Sequence, residues 1–508
     1  MKNRKKAVIA SALMTAAVLT GCGGNQTAKE EDMRISVAVL DKGEIAASEG
    51  SYEDNRWTKW IKEKSGIDVT FVPIARSQSY AKLNAMLAAG NAPDIFGEYS
   101  VDYVGQLAQQ GAILPLDDLI NNESLAYKEY IEKNNQLKKY VTFGGKTYAF
   151  TSQRAGSNII NHSIWIRQDW LDKLNLSMPK TDQELLEVMR AFKTQDPNGN
   201  GEADEVPMAM IWSQVVEAMY GAMDQWYLND EGVLEFNQLT EKNVEALRFM
   251  KTCYDEGLMF QEFATDKDGT LQKQAWATGK TGVYMDSWYT ENNRELMKNN
   301  SNANPVILPP VETKFGVGGY YKEGDAFMLN MVNANTKNVK AIAKYMDWML
   351  VDGWEELLHG EENVHYTMEN GVRKTKDQEK FDKEVGYAES YAILTQETTN
   401  PEQFEVEAAP DTLSQTLAKQ SKDAYIATSE NNHFRRDIPR NPDFEEFTNL
   451  YSEWQTKRNE IRIRVITGGA EYTPEWGVEQ LRAEWDRLGG REVNKLVNEW
   501  YQANKADF

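Results

Sequence analysis

The sequence predicts an α/β fold in two successive units, followed by a helix-rich C-terminal third. Three observations predict it. Residues 34–99 alternate short apolar runs with helical patterns, and a second alternation begins near Asn158. Residues 335–358 and most of 403–506 then carry helical spacing.

The elements follow in order. "RISVAVL" (Arg34–Leu40) is short, apolar and rich in β-branched residues, the mark of a buried strand. "SYEDNRWTKWIKEKSG" sets Trp57, Trp60 and Ile61 at helical spacing and stops at Gly66. "IDVTFVPI" is a second strand, "SQSYAKLNAMLAAG" a helix ended by Gly90, and "PDIFGEY" a third strand. Right-handed crossovers make such a series a parallel sheet. "VDYVGQLAQQGAILPLDDLI" continues as helix and turn, and "FGGKTYAF" reads as a hairpin around Gly144–Gly145. In the second unit "SIWIRQDWLDKLNL" is strand then helix. "TDQELLEVMRAFKTQ" is an amphipathic helix with Leu185, Val188, Met189 and Phe192 on one face and a capping box of Thr181 and Glu184. "VPMAMIW" and "TGVYMDSW" are strands around the helix "TEKNVEALRFMKTCYDEGL".

At 508 residues the chain has room for two or three domains. Its first 21 residues hold 4 of the 56 lysines and arginines and none of the 78 acids, so the chain from Cys22 onward carries a net charge of −26. That balance excludes a nucleic-acid partner. A basic start (Lys2, Arg4, Lys5, Lys6) leads into a 14-residue apolar stretch, Ala7–Thr20, too short to span a bilayer. This is the pattern of a secretory signal. It ends in "LTGC", which resembles the lipobox of bacterial lipoproteins. The resemblance implies cleavage before Cys22, lipidation of Cys22, and a tether over 22–33. Cys253 is then left without a partner, so no disulfide framework exists.

Catalytic signatures are missing: no H-E-x-x-H helix, no G-x-S-x-G elbow, and a "GGKT" at 144–147 whose required earlier glycine is Tyr140. "DPNGNGEADEVPM" (Asp196–Met208) opens like a calcium loop, with Asp196, Asn198, Asn200 and the turn residue Gly201. Position twelve, normally a bidentate glutamate, is Pro207.

The lipobox, "LNAMLAAGNAPDIF", "FGGKTYAF", "WIRQDWLDKLNL", "DPNGNGEADEVPM", "VEALRFMKTCYDEGLM" and "VITGG" occur in an order that resembles the lipoprotein solute-binding proteins of ABC sugar importers, in the large branch that includes alginate-binding proteins. The resemblance spans nearly the whole chain. It implies a two-lobed periplasmic-binding-protein-like clamp, monomeric and non-catalytic, with an oligosaccharide in the cleft. Its partners would be ABC permease subunits with a separate ATPase, and it would meet the membrane through the lipid alone. The expected layout is a first lobe over 34–155 completed by a segment near 300–335, a second lobe over 156–299, and a helical 336–508 completing the second lobe and hinge.

The same resemblance closes the loop with Asp204 and Glu205 in place of the missing glutamate. Structural calcium would then be held by Asp196, Asn198, Asn200, the Glu202 carbonyl, Asp204 and Glu205. Such a set supplies the six to eight hard oxygens calcium takes, and no lysine or arginine lies in the loop.

Open α/β sheets bind ligands beyond the carboxyl ends of their strands. That rule selects Trp57, Arg76, Tyr99, Trp212 and Trp288, joined by Glu361 and Tyr366 in the polar loop "HGEENVHY", whose histidines read as ordinary loop residues. Sugars suit the set, because a pyranose stacks its C–H face on aromatic rings and needs polar partners at its rim. A secreted glycoside hydrolase with two facing carboxylates, or a surface sensor or adhesin, are the competing readings.

Overall fold

The fold is given by a computed structural model, which describes residues 33–156, 162–266, 268–286, 291–430, 433–438, 441–442 and 444–505. Cys22, the signal, the tether and Trp288 lie outside the described residues.

Nine strands form the two main sheets: β1 (Arg34–Asp41), β2 (Asp68–Ala75), β3 (Ile95–Glu98), β4 (Ala149–Phe150), β5 (Ser163–Arg167), β6 (Met208–Met210), β7 (Val283–Asp286), β8 (Pro305–Ile307) and β9 (Leu329–Val332). The first sheet has the order β2-β1-β3-β9-β4. Its β1, β2 and β3 run parallel, with β1 and β2 in register from Arg34↔Asp68 to Asp41↔Ala75. β9 arrives antiparallel from far along the chain, pairing Leu329 with Glu98. The second sheet has the order β8-β5-β7-β6, with only β6 and β7 parallel.

Local chemistry explains the boundaries. The first helix starts at Arg56 rather than at Ser51 because Asn55 caps it: its side chain accepts from the Trp57 and Thr58 amides, and the Thr58 hydroxyl accepts from the Asn55 amide. Gly66, at φ 68°, ends it in the left-handed region that glycine enters without strain. The Gly144–Gly145 turn, at φ 54° and 75°, closes the hairpin Thr142–Phe143/Lys146–Thr147. Helix Asp182–Thr194 differs in detail from its expected capping box. Thr181 Oγ1 accepts from the Glu184 amide, but Glu184 Oε2 accepts from the Lys180 amide instead of turning back to Thr181.

Two large cores mark two lobes. The first is built from residues within 35–150 and 326–394, the second from residues within 164–320 together with Ala424, Val465, Ile466 and Val478. This corrects the expected layout. Helices Val339–Trp348 and Trp354–His359, with Tyr387 and Tyr391, pack into the first core, so 336–508 does not belong to the second lobe as a block. The reason is the apolar stripe Ala341, Ile342, Tyr345 and Met346, fully buried among first-lobe residues. Only the helices after Phe404 join the second lobe. They add an aromatic cluster in which Trp226, Phe236, Trp454 and Trp485 meet ring to ring.

The chain therefore leaves the first lobe after Phe150, returns to it at 321–326 and leaves it again at 395–404. The first two crossings are bound together as a ribbon: the Arg154 amide donates to the Asp325 carbonyl and the Phe327 amide to the Ser152 carbonyl.

Candidate functional site

The carboxyl ends of β1, β2, β3 and β4 all meet one edge of the first sheet, where β9 begins. That edge carries Lys42 after β1, Arg76 after β2, Tyr99 after β3, Arg154 after β4 and Phe327 before β9. Arg76 lies over the Tyr99 ring (5.1 Å), Tyr99 meets Phe327 edge-on (5.9 Å), and Arg154 lies 5.9 Å from the same Phe327 ring. Glu98 is fully buried and takes Arg76 Nη1 at 3.4 Å. Burial holds its carboxyl above the ordinary range, against the opposing pull of Ser79 and Arg76. Burial likewise raises the Tyr99 hydroxyl. Lys42 is ion-paired to Glu389.

The second lobe presents a matching edge. His162 precedes β5, Trp212 follows β6, and Asp286 ends β7. His162 sits edge-on between Trp212 (5.5 Å) and Tyr321 (5.1 Å), and Tyr321 continues to Phe434 (5.4 Å). Arg436 lies over both Tyr321 (5.9 Å) and Phe434 (5.8 Å). Trp212 Nε1 donates to Asp286 Oδ1 (3.3 Å), yet 44% of the residue stays exposed. Burial lowers the His162 pKa, opposed by Glu323 and Asp286. Burial pushes the Tyr321 hydroxyl up to about 12. Tyr321 on this edge and Phe327 on the other lie at either end of the 321–326 crossing.

Beside this band a cavity of ≈ 390 Å3 opens between first-lobe helix Val101–Gln109 and second-lobe helix Glu445–Thr467. Tyr80 and Tyr103, stacked edge-on at 4.9 Å, form one wall, and Asn441 Nδ2 bridges the lobes to Asp102 Oδ2 (2.8 Å). The arrangement offers aromatic faces, paired carboxylates and guanidinium donors from two lobes, as ring-shaped polyhydroxylated ligands require.

Of the residues selected from the sequence, Arg76, Tyr99 and Trp212 lie on these edges. Trp57 does not. It is 1% exposed, its Nε1 donates to the Glu384 carbonyl (2.7 Å), and its ring packs on Trp60 (5.6 Å), so it fills the first core. Glu361 and Tyr366 belong to a separate substructure around the hairpin Tyr366–Glu369/Val372–Thr375. There His365 is buried, correcting its reading as an ordinary loop residue. Its Nδ1 accepts from the Glu361 amide (3.0 Å), which assigns the proton to Nε2, facing Glu384 (3.2 Å). Arg154, His162, Tyr321, Phe327 and Arg436 were not singled out from the sequence, although Arg154 follows a strand's carboxyl end as Arg76 does.

The loop after helix Asp182–Thr194 folds around Asp196, itself at φ 46°. Asp196 Oδ1 accepts from the Gly199 and Asn200 amides and Oδ2 from the Gly201 amide. Asn198 and Asn200 both donate to Asp204 Oδ1 (3.2 and 3.0 Å). Among the described residues no three Asp, Glu, His or Cys side chains converge in a metal-holding group, although two of the six expected ligands are amides and one is a carbonyl. Glu205 Oε1 is buried without a hydrogen-bond partner among the described residues. Burial first, then Asp204 and Asp196, raise its pKa. The loop itself holds no lysine or arginine, but one from elsewhere reaches it: Lys280 Nζ lies 2.7 Å from Asp204 Oδ2. It comes from the turn before β7, 76 residues after Asp204, where no local pattern reveals it.

Comparison with known proteins agrees with this architecture. The fructooligosaccharide ABC transporter substrate-binding protein FusA of Streptococcus pneumoniae is 27% identical over 374 residues, 68% of each chain. The lipoprotein LipO of Bacillus subtilis is 23% identical over 519 residues, 97% of each. The structure of FusA with kestose superposes with a TM-score of 0.70 at 18% identity, covering 94% of this chain and 100% of that one. Alginate-binding protein AlgQ2 without calcium ion gives 0.72 at 18%, covering 93% and 99%. Residues 46–356, more than half the chain and including nearly every strand of both sheets, match one family outright: this protein belongs to the bacterial extracellular solute-binding proteins.

Proposed function

We propose that the chain captures an oligosaccharide between its lobes and delivers it to an ABC permease. The observation that carries this reading is a pair of aromatic edges, Tyr99 with Phe327 on the first lobe and His162 with Trp212 and Tyr321 on the second, flanked by Arg76, Arg154 and Arg436. A ligand touching both edges favours the closed state by the contacts it makes only there. Relatives named for fructooligosaccharide and alginate binding support a glycan as the ligand. The cleft's carboxylates favour holding over cleavage, since Glu98 is engaged by Arg76, Asp286 by Trp212 and Tyr284, and Glu389 by Lys42. The test is thermal unfolding of the chain from Cys22 onward against neutral fructo-oligosaccharides and oligouronates. A ligand that binds only the native state raises the melting point by mass action. No shift with any member rejects the reading.

Cys22 is the lipid attachment point in this proposal, consistent with the likeness to a lipoprotein over 97% of both chains. Two acyl chains anchor stably where one does not. Among the described residues no helix is long and apolar enough to cross a membrane.

Calcium is the proposed structural metal, held by Asp196, Asn198, Asn200, the Glu202 carbonyl, Asp204 and Glu205. The buried, unpartnered Glu205 Oε1, which feels the negative charge of Asp204 and Asp196, fits a cation there. The metal would supply charge neutralisation and bind the end of helix Asp182–Thr194 to β6. Metal analysis of chelator-free protein tests this, and finding no calcium rejects it.

A further inference from the structure

On the second lobe, one step outward from the cleft, lies a smaller cavity of ≈ 200 Å3. Tyr227 and Phe315 supply rings, Lys242 and Arg435 supply cations, and Phe434 is shared with the cleft band, where it meets Tyr321. No aspartate or glutamate lines it, although the chain as a whole carries −22.

Lys242 is the informative residue. It lies in the first turn of helix Glu241–Asp255, half-buried, with its Nζ 5.7 Å above the Tyr227 ring. Among the described residues its ammonium has no hydrogen-bond acceptor and no carboxylate at ion-pair distance. Arg435 lies over the same ring at 6.0 Å, so two cations share one aromatic ring. The positive end of the helix dipole adds to the mismatch. Burial and then Arg435 lower the Lys242 pKa. Asp437, Glu235 and Asp230 oppose that shift from beyond ion-pair distance. Arg435 is held by Asp437 (2.6 Å) and the Leu228 carbonyl (2.8 Å), so it keeps its position. The far wall is equally fixed: Thr313 and Gly316 exchange two backbone hydrogen bonds, and a Cβ on Gly318 would stand 2.4 Å from the Met219 carbonyl. A half-buried cation without a direct partner is costly, and an anionic group in the cavity supplies one.

We propose that this cavity is a subsite for an acidic sugar residue, its carboxylate received by Lys242 and Arg435 and its ring laid against Tyr227 and Phe315. The volume falls below the several hundred Å3 of whole-ligand pockets, which suits one ring at the end of a longer glycan. The identity of the occupant rests on the cleft being a glycan site.

The test compares galacturonate with galactose, and both with inorganic phosphate, by calorimetric titration of the calcium-loaded wild type, Lys242→Met, Arg435→Gln and, as a control on the exposed face of the first lobe, Leu125→Ala. Thermal unfolding confirms that each variant folds. The expected result is galacturonate binding at least tenfold tighter than galactose, a loss of at least tenfold in Lys242→Met, a smaller loss in Arg435→Gln, and no change in Leu125→Ala. Equal responses to the two sugars, no galacturonate binding, or phosphate binding without galacturonate each overturn the proposal. A wild type that takes galacturonate at Lys242 but no oligosaccharide in the cleft overturns the cleft reading and leaves this one standing.

Discussion

Trp57 and Trp212 each follow a strand of an α/β sheet, yet they end in opposite environments. Trp57 lies under the first lobe with its indole nitrogen on a backbone carbonyl. Trp212 stands open at the cleft with its nitrogen on Asp286 and its face toward His162. The difference teaches that a place beyond a strand's carboxyl end only nominates a residue. What meets it decides its use. Residues 384–391 fold back over Trp57, whereas Trp212 stays 44% exposed among the described residues.

Replacing Trp57 with alanine is the largest break to make. Removing a fully buried indole costs about 3–5 kcal/mol, read as a lowered denaturant midpoint, while ligand affinity of the remaining folded protein stays close to wild type. A Trp57→Ala variant of undiminished stability would erase the contrast.

The calcium loop sharpens it. The loop enters β6 at its amino end and Trp212 leaves β6 at its carboxyl end, so the proposed metal and ligand would address opposite ends of one strand. Calcium at a hundred times its Kd should add about 2.7 kcal/mol to stability, seen as a rise in Tm that chelation reverses. Glycan affinity should change little. Because Glu205 must be deprotonated to ligate and its pKa is raised, calcium affinity should fall as pH drops toward that value.

The smallest effect concerns His162. Burial lowers its pKa, so below the ordinary histidine value the unfolded chain takes up a proton that the folded chain refuses. Stability then falls as pH drops through the window from the unfolded value, about 6.5, to the depressed folded one. The slope is at most about 1.4 kcal/mol per pH unit. His162→Gln should lose that component in urea titrations at pH 7 and pH 5.5, and an unchanged slope would place the proton uptake elsewhere.

Much of the fold was legible because periodicity and caps are local. The run of Arg34–Leu40, the spacing of Leu185, Val188 and Phe192, and the stops at Gly66 and Gly90 depend on residues a few positions apart. The resemblance sent a segment near 300–335 to the first lobe, but the pairing of β9 between β3 and β4 was not legible from the residues, since it joins positions more than 170 apart. Nor was the return of 339–394 to the first lobe, because an apolar helix stripe does not say which core it enters. The site was legible where strands deliver it, at Arg76, Tyr99 and Trp212. It was hidden where irregular crossing segments deliver it, at Arg154, His162, Tyr321 and Phe327. These residues carry no period, and their partners are set by the ribbon of 151–156 against 324–327.

The most direct test of the cleft is calorimetric titration of the wild type and Trp212→Ala with the oligosaccharide that gives the largest thermal shift. Truncating an interfacial aromatic that the ligand covers should weaken binding at least tenfold, about 1.4 kcal/mol, with the melting point of the free protein unchanged. Equal affinity in the two proteins would contradict the assignment of the band between Tyr99 and Trp212 as the site where this protein holds its ligand.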